Sequence, residues 1–94
     1  MASLLARLRS KISQGRYEVS GHAERELEND GFEMADLRAG MASGRIAARQ
    51  RDAKRGHLKY VIKGTATDER AIAIVCRLMS SENVLIITVY EDLT

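Results

Sequence analysis

Two histidines and a scatter of arginines carry most of the chemistry open to this chain. His22 stands in the stretch Ser20-Gly21-His22-Ala23-Glu24-Arg25-Glu26-Leu27. At about 100° per residue, His22, Arg25 and Glu26 share a polar stripe, while Ala23 and Leu27 share the buried side. An imidazole titrates at about pH 6.5, so His22 can give or take a proton in neutral solution. Arg77 interrupts the apolar run from Ala71 to Leu78, and an arginine there wants a carboxylate or a phosphate as partner. A proton carrier beside guanidinium forks meets the needs of metal-independent RNA cleavage. That reaction takes a base at the 2′-hydroxyl, an acid for the leaving 5′-oxygen, and cations to hold the charge that builds on phosphorus. The candidate catalytic set is therefore His22, Arg25, Arg77 and Tyr90. Thr88 could orient a phosphate, and Arg45, Arg49 and Lys59 would steer the RNA backbone through counterion release.

Each of these residues also has a structural role open to it. His22 can brace the fold through a ring hydrogen bond, Arg25 and Glu26 can be charges on a helix surface, and Tyr90 can pack its ring and leave its hydroxyl wet. Arg77 can pair with Glu24, Glu26 or Glu91. His22 and Glu26 are four apart, a spacing that suits a metal, but no third ligand suggests itself, and His57 sits in a basic run. No metal and no cofactor are expected.

The chain that must position these groups has 94 residues, enough for a single domain over 1–94 with one largely aliphatic core. Its one cysteine, Cys76, excludes an internal disulfide and a cysteine-based zinc site. No apolar run suits a signal peptide or a membrane span, so a soluble, cytoplasmic protein is expected. The net charge of +2 hides an uneven distribution. Residues 18–36 hold seven acids against Arg25, whereas 45–63 hold seven bases against Asp52. Such blocks make a dipolar surface, suited to a polyanion on one side and a basic partner on the other.

Periodicity assigns the elements. Ser3 to Gly15 reads as a helix with Leu4, Leu5, Leu8 and Ile12 on one face, and 1–15 form an N-terminal helical extension to a core over 16–94. Arg16 to Val19 reads as a short strand. A second helix starts at Ser20 and stops at Asn29-Asp30-Gly31, and a third spans Glu33 to Ser43. Alternation then replaces the helical period in four runs: Arg45 to Arg51, His57 to Lys63, Arg70 to Leu78, and Val84 to Tyr90. Their short connectors favour an antiparallel meander, so the expected class is α+β, with N-terminal helices followed by a four-stranded antiparallel sheet. A tight turn at Ser81-Glu82 sets Arg77 across from Ile86 and Val75 across from Thr88. Ile72, Ile74, Cys76, Leu78, Leu85, Ile87 and Val89 then face the core. The outer face would display Arg45, Arg49, Arg51, His57, Lys59, Lys63, Arg77 and Tyr90, with His22 converging on it.

The order of His22-Ala23-Glu24-Arg25, a helical run ending in Ala39-Gly40-Met41, a basic strand, the segment His57 to Gly64, and Ile87-Thr88-Val89-Tyr90 resembles the bacterial domain-of-unknown-function 4258 family. The resemblance covers residues 17–91. That family is similar to the RelE-like and barnase-like group of small ribonuclease folds. The resemblance thus implies a RelE-like sheet, toxin-type endoribonuclease activity, and an antitoxin-like partner that is a small DNA-binding or zinc-finger protein. The alternative is a domain of the same fold that binds RNA or protein without catalysis.

Overall fold

The first helix, α1 (Leu4–Ser13), starts where Ser3 Oγ accepts the Ala6 N–H at 3.1 Å, and the chain turns away at Gly15, whose φ is +74°. The computed structural model describes residues 2–94. Strand β1 (Tyr17–Val19) leads into α2 (Gly21–Asn29), capped by Ser20 Oγ on the Ala23 N–H at 3.0 Å. Helix α3 (Met34–Ser43) follows, then β2 (Arg45–Arg51), β3 (Leu58–Thr65), β4 (Ala71–Leu78) and β5 (Val84–Glu91). All three helices and the four long strands lie where periodicity puts them.

The sheet has five strands in the order β1-β5-β4-β3-β2, and it is mixed. Strands β2 to β5 form the expected antiparallel meander, but β1 adds to it in parallel, with Glu18 beside Leu85 and Val19 beside Ile86. The four-stranded, wholly antiparallel expectation is corrected on this point. Only the first half of β5 is covered by β1. The rest of that edge is closed by α2: Ser20 Oγ donates to the Ile87 carbonyl (3.0 Å), Glu26 Oε1 accepts the Val89 N–H (3.1 Å), and Asp30 Oδ2 accepts the Glu91 N–H (3.1 Å). Backbone groups at a sheet edge need partners or water, and here side chains of one helix supply them.

The helices cover one face of the sheet. Leu8, Leu37, Met41, Ile62, Ile72, Ile74, Val84, Ile86 and Val89 are fully buried between the layers, each contributing on the order of 1.5–3 kcal/mol. Cys76 lies with them as a small hydrophobe, and burial pushes its thiol up to about 12. Two bulges correct the expected facing. The β4–β5 turn is three residues long, closed by Met79 and Asn83 with Glu82 left-handed at φ 70°, so Arg77 opposes Leu85 and not Ile86. Ile87 is then left without a cross-strand partner, and the register returns to Val75 opposite Thr88. Val84 and Ile86 therefore take the core positions expected of Leu85 and Ile87. In β2 the register shifts between Ile46 and Ala48, which turns Arg49 and Arg51 onto the helix side opposite Tyr60 and Leu58. They do not join the outer face.

Gly40, Gly44 and Gly64 bring α3 onto the sheet. A Cβ on Gly64 would run into the Gly40 carbonyl, and one on Gly40 would stand 2.6 Å from Ile72 Cγ2. Arg9 ties α1 to the end of α3 by donating to the Met41 carbonyl (3.0 Å) and to that of Gly44. Asp36 is the one buried charged side chain among the described residues. Its carboxylate accepts the Glu33 N–H (2.7 Å), the Thr67 N–H (3.0 Å) and the Thr67 hydroxyl, so it links the start of α3 to the β3–β4 loop. The bond from Glu33 and then that from the Thr67 hydroxyl hold its carboxyl below the usual range. A depressed carboxyl stabilises the fold fully above its unfolded value of about pH 4, and this contribution is lost as the pH falls through the folded value. Asp36→Asn should therefore cost about 1–3 kcal/mol in urea unfolding at pH 7. The gap to the parent should narrow at pH 3, and an equal gap at both values would refute the assignment.

Candidate nucleic-acid interface

The uncovered face of the sheet carries a groove of about 240 Å³ between the tip of the β2–β3 hairpin and strands β4 and β5. Arg77, Leu85 and Ile87 form one wall, and Asp52, Arg55, His57 and Lys59 the other. The turn brings these residues there. Asp52 Oδ1 accepts the N–H groups of Lys54 (2.8 Å) and Arg55 (3.3 Å), Gly56 adopts φ 70°, and Arg51 Nη1 donates to the Gly56 carbonyl at 2.7 Å. Those two amides hold the Asp52 carboxyl below its ordinary range, with smaller help from Lys59 and His57. The one acid of the groove is thus committed to the turn.

Arg77 is half-buried, and among the described residues no carboxylate lies within ion-pair distance of it. Two of the acids that could have paired with it are engaged elsewhere. Glu26 bonds His22 Nε2 at 3.1 Å as well as the Val89 N–H, and Glu91 bonds Arg70 Nη1 at 3.2 Å. A half-buried guanidinium with Arg55, Lys59 and His57 around it is an arrangement able to hold an anion, with one imidazole in the lining.

The other sequence-derived residues do not line the groove. His22 is 60% exposed on α2, alongside the outer edge of β5. Arg25 is exposed on the same helix, near Gly21. Thr88 is on the outer face opposite Val75, and Tyr90 is opposite Ala73, four residues along β4 from Arg77 and so about 13 Å away. Arg45 opposes Lys63 at that far end, where Lys63 pairs with Asp92 at 3.3 Å. Of the expected set, Arg77 and Lys59 line the groove, and His22, Arg25 and Tyr90 are not among its lining residues.

Sequence reasoning sets His57 on the outer face with Arg77 but gives it no chemical role, because its basic run argues against a metal; those basic neighbours are what a proton carrier at a phosphate site needs. It also misses Arg70 as an organising residue. Arg70 bonds Asp68 Oδ2 (2.7 Å), the carbonyls of Asp30 (2.6 Å) and Gly31 (3.0 Å), and Glu91, and it lies 4.0 Å over the Phe32 ring. It staples the end of α2 to β4 and β5. A larger cleft of about 640 Å³ between α1 and α3 is mainly apolar, and its charged groups are Arg9 and Arg38. It holds no group that titrates near neutrality. Among the described residues no three His, Cys, Asp or Glu side chains converge as metal ligands, and no helix is long and apolar enough to cross a membrane.

An α+β domain with a basic groove on its open sheet face is the class this geometry defines. The chain belongs to the family described as "Domain of unknown function (DUF4258)", which matches residues 19–91. The match takes in strands β2 to β5 and helices α2 and α3, and it leaves α1 and all of β1 but Val19 outside. No curated protein and no solved structure matches the chain.

Proposed function

We propose that the chain binds RNA at the groove of Arg77, Lys59, Arg55 and His57 and cleaves it there without a metal, as a toxin-type endoribonuclease of the RelE-like and barnase-like group. The single observation that carries the binding is the half-buried Arg77, which has no carboxylate partner among the described residues and shares its groove with three further basic side chains. Arg77 and Lys59 hold a phosphate, and His57 is the group that transfers a proton. Helices followed by an antiparallel meander support the grouping. The family resemblance supports a small DNA-binding or zinc-finger partner of antitoxin type, and the single buried thiol suits a reducing cytoplasm.

One observation favours a second reading, binding without cleavage: Tyr90 stands four residues along the sheet from Arg77 and His22 does not line the groove, so the groove holds only one member of the expected catalytic set. Both readings require the groove. Arg77→Gln should weaken binding of a labelled RNA about tenfold and lower the salt slope by about 0.7, the share of one phosphate contact on a single strand. Unchanged affinity and slope would remove the groove as the binding site.

A further inference from the structure

The shift of register in β2 gives the β2–β3 hairpin two cationic faces. Lys59 and Arg55 line the outer groove, whereas Arg49 and Arg51 stand on the opposite side of the same ribbon, exposed. The ladder of β3 with β4 ends at Tyr60 opposite Cys76, but its ladder with β2 continues to Leu58 opposite Arg51. The hairpin tip therefore projects past the part of β3 that is paired with β4. Strand β2 is also the free edge of the sheet, so nothing in the sheet flanks the ribbon on that side. Asp52 and Gly56 fix its turn, and none of Arg49, Arg51, Lys54, Arg55 and Lys59 has an ion-pair partner among the described residues.

A single strand offers one row of phosphates and can satisfy one face of such a ribbon. A groove between two strands offers a row on each side. We infer that the hairpin is an insertion arm for a folded nucleic acid, lying between two phosphate rows with Lys59 and Arg55 toward one and Arg49 and Arg51 toward the other. The inference rests on the nucleic-acid reading above and adds the ligand's form to it. Two sources share this chemistry: an RNA hairpin whose groove is widened by a bulge, and a B-form DNA duplex, whose major groove of about 12 Å admits a two-stranded ribbon.

The experiment compares the intact chain with Arg49→Gln and with the Arg49→Gln/Arg51→Gln pair. The probes are a bulged RNA hairpin, an unstructured RNA of the same length, and a DNA duplex, each at two salt concentrations. The intact chain should bind one folded probe at least tenfold more tightly than the unstructured strand. The double variant should lose most of that preference, and Arg49→Gln should keep its affinity for the single strand within about threefold, because Arg49 faces away from the groove. Arg51 also braces the turn, so Arg49→Gln alone, with its fold checked by circular dichroism, must show a smaller loss in the same direction. Tighter binding of the DNA duplex than of the RNA hairpin keeps the two-row contact and moves its source from RNA to DNA. Equal affinity for folded and unstructured probes, or equal losses on both in the variants, overturns the insertion arm alone. Failure of the intact chain to bind any probe instead overturns the nucleic-acid reading on which it rests.

Discussion

Gly64→Ala should lower the melting temperature by more than about 10 °C, although it adds a single methyl group. The added Cβ would overlap the backbone carbonyl of Gly40, and Gly40 cannot retreat because its own Cα lies against Ile72 and Ile74. Overpacking in cores costs about 1–3 kcal/mol when side chains can shift, and here backbone meets backbone, which puts the cost at the top of that range or above it. For a domain of this size, each kcal/mol moves the midpoint by roughly 4–8 °C. Gly15→Ala is the comparison. Gly15 is left-handed, at φ +74°, and has no atom within 4 Å of a Cβ, so its substitution carries only the conformational penalty of about 1–2 kcal/mol. Thermal unfolding followed by circular dichroism decides between them, and equal shifts would show that α3 does not depend on the close approach.

The second large effect concerns cleavage. His57→Gln preserves a polar side chain in the groove but removes proton transfer, and RNA cleavage should fall about 10²-fold or more while affinity changes less than threefold. His22→Gln should leave both cleavage and melting temperature nearly unchanged, since His22 is exposed and the Glu26 carboxylate keeps its bond from Val89 without it. The reverse pattern, with His22 needed and His57 dispensable, would move the chemistry to the α2 flank. No cleavage by the parent under any condition would leave the groove as a binding surface.

Much of the architecture is legible in residue order. Leu4, Leu5, Leu8 and Ile12 mark α1, Ser20 and Gly31 bracket α2, and alternation marks β2 to β5. The faces are less legible, because strand parity turns on single residues. The extra residue in β2 near Ala47 and the unpaired Ile87 each reverse the facing of the residues beyond them, and no compositional cue separates such a residue from its neighbours. Arg77 stands out since it breaks an apolar run. His57 does not, because its place beside Arg77 depends on the curl of a hairpin turn held by Asp52. Asp36 and Arg70 escape for a similar reason: their partners are 21 to 40 positions distant or more local than any pattern reveals.

The closing of the β5 edge by α2 bears on the order in which the protein can form. Ser20 bonds a carbonyl 67 positions later, Glu26 an amide 63 later and Asp30 an amide 61 later. As the chain emerges during synthesis, α2 exists long before the strand it must seal, and its acids do not meet the β5 edge until that strand is made. Strands β2, β3 and β4, joined by short turns, can pair while β5 is still being added. Helix α2 is thus secured only after the three strands that follow it have paired, and the loop that its bonds close spans more than sixty residues.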